Sequence, residues 1–125
     1  MGGVQHFEIH CGDVDRAMDF YGKVLGWSFQ KWGEREYYLI DGDGIGAGRP
    51  TGALMPRATP AAASDHTAPN STVSVFSVDS IDTAHADALS SGGTEERPIS
   101  EIPDLGRASY CYDTEGNVFG MIQLY

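Results

Sequence analysis

The sequence predicts an α+β fold built from two β-α-β-β-β modules related by a pseudo-twofold axis, whose two sheets can curl around a shared cavity. Three observations predict it. The second half repeats the first at a constant offset of 67 residues, so Val14-Asp15-Arg16-Ala17 falls on Ile81-Asp82-Thr83-Ala84. The helix stop keeps that register, Leu25-Gly26 falling on Gly92-Gly93. So does a late apolar strand, Gly52-Ala53-Leu54-Met55 falling on Phe119-Gly120-Met121-Ile122. Two copies of one supersecondary unit point to a site between the copies.

The first copy spans about 4–56. Val4 to Cys11 alternates with period two, with Phe7, Ile9 and Cys11 on one face and His6, Glu8 and His10 on the other. Asp13 is placed to cap a helix carrying Ala17, Phe20, Tyr21, Val24 and Leu25 at helical spacing, and Gly26 stops it. Trp27 to Trp32 and Glu36 to Ile40 are strand-like runs split by Gly33, and Asp41-Gly42-Asp43-Gly44 is a turn. Gly52 to Pro56 is the last strand of the copy. An Ala-, Pro-, Thr- and Ser-rich stretch, about 57–69, reads as the connector. The second copy, about 70–125, runs in the same order. Thr72 to Val78 is a strand, and Ser80 caps a helix that Gly92-Gly93 ends. Thr94 to Ile102, Arg107 to Tyr112 and Val118 to Leu124 are strands, the last two joined by the turn Asp113 to Asn117. Neither copy is expected to be stable alone, because one face of its sheet would stay uncovered.

Size and composition bound the function. A chain of 125 residues is one domain. It has no apolar run of about 18 residues, so no membrane span is expected, and no leader pattern at its start. Two cysteines, Cys11 and Cys111, lie in strand-like runs, and a reducing cytoplasm is the expected setting. The net charge of −10 argues against nucleic acid and anionic membranes. It reads first as solubility and second as a taste for a cationic ligand.

His6-Phe7-Glu8-Ile9, followed by Asp13 to Trp27, resembles the first module of the vicinal-oxygen-chelate superfamily. That superfamily holds glyoxalase I, the bleomycin-resistance proteins and the extradiol dioxygenases. Asp113-Thr114-Glu115-Gly116-Asn117-Val118-Phe119-Gly120 resembles its turn into the last strand, and Gly52 to Arg57 its fourth strand. The resemblance covers the whole chain. It implies a cup with a small-molecule site, a homodimer, and in the enzymes a divalent ion held by the first and last strands of each module. By the motif, the first ligand position is His6 and the last is Gly120. The offset then adds Val73 and Ala53. Only His6 of these four has a donor atom, and such ions need several O or N ligands. The expectation is therefore no cofactor, with a divalent metal left open.

His6, Glu8 and His10 share a strand face. His6 and Glu8 could converge on one proton or one ion, whereas His6 and His10 start about 13 Å apart. His6 and Glu8 are the catalytic candidates, as an imidazole beside a carboxylate suits proton transfer. His6, Glu8, His10, Ala53, Val73 and Gly120 are the candidate ligand-binding set. Tyr37, Tyr38, Tyr110 and Tyr112 read as strand packing, and Trp27 and Trp32 as a cup rim or dimer seam. Cys11 faces away from His6, and Cys111 has no visible activator. His66 in the connector and His85 on the second helix read as solvated. Gly42 to Gly48 reads as a turn, because no helix follows it as a dinucleotide loop requires. The expected function is binding of a small organic molecule without the usual metal. The alternative is a lyase, isomerase or dioxygenase-type enzyme using His6 and Glu8, or non-standard metal ligands.

Overall fold

The computed structural model describes residues 4–46, 48–57 and 73–125. The first module runs β1 (His6–Cys11), α1 (Val14–Leu25), β2 (Ser28–Lys31), β3 (Tyr38–Asp41) and β4 (Thr51–Pro56). The second runs β5 (Val75–Ser77), α2 (Ile81–Ser90), β6 (Thr94–Ile102), β7 (Gly106–Tyr112) and β8 (Val118–Leu124). Each module is an open four-stranded mixed sheet, ordered β1-β4-β3-β2 and β5-β8-β7-β6. The first and last strands of each module pair in parallel. The fold is thus α+β with two like modules, as the repeat predicts. The connector and His66 lie outside the described residues.

Local signals set the helices. The Asp13 side chain accepts the Arg16 N–H and Gly26 turns left-handed at φ 70°, so α1 begins and ends where the sequence places it. Ser80 caps α2 through the Thr83 N–H. That helix closes at Ser91, just before Gly92 with its φ of 101°.

The offset of 67 holds at both helix starts, Val14 and Ile81, and at both last strands, Thr51 and Val118. Between them it slips. Leu39 faces Ala53 fourteen residues on, while Tyr110 faces Gly120 only ten on. The β3–β4 loop is four residues longer than its counterpart and the stretch from the helix start to the end of β3 four shorter, so the register is restored at β4.

The helices lie on the apolar faces of the sheets and pack against each other. Phe20, Tyr21, Trp27, Phe76, Phe119 and Met121 form a shared core. Trp27 stacks on Tyr21 with centroids 5.1 Å apart and receives Phe76 edge-on at 5.1 Å. One core therefore serves both modules, covering for each the face it could not cover alone.

A polar clamp locks the modules. Glu115, in the turn before β8, is buried and takes two hydrogen bonds from Arg16, at 2.7 and 2.9 Å, and one from the Asp13 N–H at 2.7 Å. Beside it Asp113 accepts from the Tyr21 hydroxyl at 2.6 Å and from the N–H groups of Glu115 and Asn117 at 2.8 Å. Arg57 donates to the Glu115 carbonyl and, at 3.0 Å, to the Asn117 side chain. Burial pushes the Asp113 carboxyl up, and its hydrogen bonds only partly offset this. Burial also pushes Glu115 up, but Arg16, the Asp13 N–H and Thr114 outweigh it and hold the carboxyl below its ordinary value.

Candidate functional site

Alternation along β1 turns His6, Glu8 and His10 away from the helices, onto the outer face of the first sheet. His6 Nδ1 lies 2.7 Å from Thr51 Oγ1, and His6 Nε2 lies 2.7 Å from the Tyr37 hydroxyl. Tyr37 donates to Glu8 Oε2 at 2.6 Å. Proton counting fixes the histidine. Tyr37 has one proton and gives it to Glu8, so His6 Nε2 carries a proton and donates to the Tyr37 oxygen. His6 Nδ1 meets the Thr51 hydroxyl, which also reaches the Gln5 carbonyl at 3.4 Å. His10 Nε2 closes on the other carboxylate oxygen at 3.6 Å.

Electrostatics follow from these contacts. The Tyr37 hydroxyl, then His10 and the positive potential of the histidines, hold the Glu8 carboxyl below its ordinary value against a smaller opposing effect of burial. Burial and the hydrogen bond to Glu8 push Tyr37 up to about 12. At neutral pH Glu8 is a carboxylate and Tyr37 a donor. The chain His6–Tyr37–Glu8 can pass a proton along its length or hold a polar group at either end. The sequence placed Tyr37 in strand packing. It lies just before β3, and its hydroxyl is the link between the two candidate residues. No period-two count marks a residue outside the strand.

The remaining candidates are dispersed. Ala53 sits opposite Glu8 and is fully covered, with 0% exposure. Val73 precedes β5 rather than lying within it, and that strand is shorter than the predicted Thr72 to Val78. Gly120 lies on β8 between Val75 and Tyr110. A side chain begun at Gly120 would meet Tyr110 and Val75 at 2.9 Å. The Tyr110 ring thus fills that seat, with the Arg97 guanidinium 5.5 Å from its centroid. Among the described residues no three His, Cys, Asp or Glu side chains converge as metal ligands do.

His85 corrects an expectation. It is buried, 7% exposed, with Nδ1 2.8 Å from Ser109 Oγ and Nε2 2.8 Å from Glu95 Oε1. Cys111 Sγ lies 3.6 Å from the same Nδ1, so this thiol does have an imidazole neighbour. Helical spacing could have found His85, since it continues the stripe Ile81, Ala84, Ala88. The cluster looks like a nucleophile and its base, yet Ser109 and Cys111 are wholly buried, and burial pushes the thiol up to about 11. Here the imidazole ties α2 to the second sheet. Cys11 is buried as well, and burial pushes its thiol up to about 12.

Two β-α-β-β-β modules with parallel first and last strands match a known family. The sequence profile of the Glyoxalase/Bleomycin resistance protein/Dioxygenase superfamily covers residues 3–121. The chain belongs to this superfamily. Solved structures agree on the fold. A glyoxalase/bleomycin resistance protein from Albidiferax ferrireducens T118 is 21% identical, with 97% of this chain and 98% of that one covered and a TM-score of 0.72. TnmS3, an antibiotic binding protein from Streptomyces sp. CB03234, is 20% identical over 100% and 98%, with a TM-score of 0.67. The fosfomycin resistance protein FosX from Listeria monocytogenes, solved with Mn(II) and a dihydroxypropylphosphonic acid, is 13% identical over 100% and 94%, with a TM-score of 0.69. No curated protein matches the chain by sequence. No helix among the described residues is long and apolar enough to cross a membrane.

Proposed function

We propose that this member of the superfamily binds a small organic molecule on the outer sheet faces without the ion that some relatives carry. The observation that carries the reading is the seat at Gly120. Three of the four positions that would hold an ion, Ala53, Val73 and Gly120, have no donor atom, and the space at the last is taken by Tyr110 and Val75. The one donor, His6, already spends both ring nitrogens on Thr51 and Tyr37. These residues do not suit a divalent ion. They suit a ligand that meets His6, Glu8 and His10 on one sheet and an aromatic and apolar surface on the other. A second copy of the chain would complete the cup, giving a homodimer. TnmS3, described as antibiotic binding, is a precedent for this use of the fold.

The test is metal content of protein purified without chelator, with thermal shifts in nickel, manganese, iron(II) and zinc for the wild type and His6→Ala. Little bound metal and no His6-dependent shift are expected. Near-stoichiometric metal, or a shift of several degrees that His6→Ala abolishes, would sink the reading.

A second reading, acid–base catalysis, has the His6–Tyr37–Glu8 chain in its favour. It requires turnover that both His6→Ala and Glu8→Ala abolish. Tight binding of a drug-like compound with no turnover would set it aside.

A further inference from the structure

The pseudo-twofold presents one place twice, and the two copies differ. In the second module the turn before β8 is closed by hydrogen bonds from the Asp113 N–H to the Asn117 carbonyl, 2.8 Å, and from the Gly116 N–H to the Asp113 carbonyl, 3.4 Å. In the first module the Gly46 N–H donates to the Pro50 carbonyl at 3.0 Å and the Arg49 N–H to the Gly46 carbonyl at 3.1 Å. Each of these atoms lies 67 residues before its counterpart, so the two turns are equivalent.

Their side chains are not. Gly46 and Gly48 stand where Asp113 and Glu115 stand, and on the facing helix Thr83 and Ala88 stand where Arg16 and Tyr21 stand. All four groups that fill the clamp are missing from its mate. A side chain begun at Gly46 or Gly48 would meet nothing within 4 Å. Beside this turn, between Gly44, Ile45, Arg49 and Pro50 on one side and the start of α2 and β5 on the other, lies a cavity of about 1140 Å³, which Thr83 lines. It is large enough for a drug-sized molecule. Its apolar wall includes Trp27, Ile45 and Phe76, and its polar wall Asp43, Asp79 and Asp87 with Arg49. None of these four charged side chains forms an ion pair among the described residues.

We propose that this cavity is a second binding site, for an organic cation with an aromatic body. Three carboxylates against one guanidinium give the wall an excess of negative charge. The ring edges and aliphatic side chains beside them take the apolar part. The site adjoins the outer sheet face and shares His6 and Val73 with the candidate set there, but it does not depend on the function proposed for that face.

The probe is 1-naphthylmethylammonium, with 1-naphthalenemethanol and 1-naphthoate as neutral and anionic matches. Affinity is read by calorimetry and location by amide shifts in NMR. The ammonium should bind with shifts at Ile45, Thr83 and Ala84, at least about fivefold tighter than the alcohol, with the carboxylate weaker still. Asp87→Asn should weaken it several-fold, and Thr83→Trp, which fills the cavity from an exposed helix position, should abolish it. Both variants should melt within a few degrees of the wild type. No binding by any probe, equal affinity for all three, shifts confined to Glu8 and Tyr37, or unchanged binding in Thr83→Trp would each overturn the proposal.

Discussion

Before β8, the turn from Asp113 to Asn117 is packed with carboxylates that grip α1. Before β4, the turn from Gly46 to Pro50 is closed by the same pair of hydrogen bonds, and among the described residues none of its side chains bonds to a helix. The backbones show why. The second turn needs its left-handed residue at Gly116, φ 81°, which leaves positions 113 and 115 free to carry side chains. The first turn puts the left-handed residues at Gly46 and Gly48, φ 77° and 87°, which are the very positions that would have to carry them. A duplicated unit has thus kept a turn and moved its glycines. One copy became a lock between modules and the other an opening. The same contrast separates the sheets. The outer face of the first holds a hydrogen-bonded polar row, and that of the second an aromatic surface over a glycine.

Breaking the lock should cost most. Glu115→Ala removes both Arg16 hydrogen bonds and leaves the Asp13 N–H without its partner; with Arg16 half exposed and still solvated, it should lower unfolding free energy by about 2–4 kcal/mol in urea titration. A loss under about 1 kcal/mol would mean that the shared core alone holds the modules. Tyr21→Phe removes one of several donors to Asp113 and should cost about 1–3 kcal/mol by the same measurement. On the open side the backbone is the weak point. Gly48→Ala meets no neighbour, yet forces an L side chain into φ 87°, and should cost about 1–2 kcal/mol. A neutral result would show that the loop can relax and that its glycines are not required.

The smallest effect is in acid. The folded-state value of Glu115 is held below its ordinary 4.5, so its stabilisation is complete above that pH and is lost as pH falls through the lower folded value. Asp113 works in reverse. Its raised value means the fold gains relative to neutral pH as this buried carboxyl takes up a proton. The stability difference between wild type and Glu115→Ala should therefore be flat above about pH 5 and shrink below it. A difference that stayed constant to pH 3 would rule out Glu115 as the acid-sensitive half of the lock.

Much of the outer face was legible. Period-two alternation put His6, Glu8 and His10 together because a strand's geometry is local. Tyr37 was not legible, since it reaches them from another strand's approach across 29 and 31 residues of sequence. His85 was misplaced for a related reason. Helical spacing puts it on the apolar stripe and so marks it as buried, but the partners that satisfy it, Ser109 and Glu95, arrive only from β7 and β6.

By itself the sequence determined the repeat, the caps at Asp13, Gly26 and Ser80, the strand faces and the family. Each depends on neighbours a few residues away or on a pattern carried whole through the chain. Only the tertiary structure decided that one turn locks and its mate stays open, that Tyr110 fills the place at Gly120, and that a tyrosine links His6 to Glu8. Those outcomes depend on which side chains from distant segments compete for one volume, and no local pattern in the chain encodes that competition.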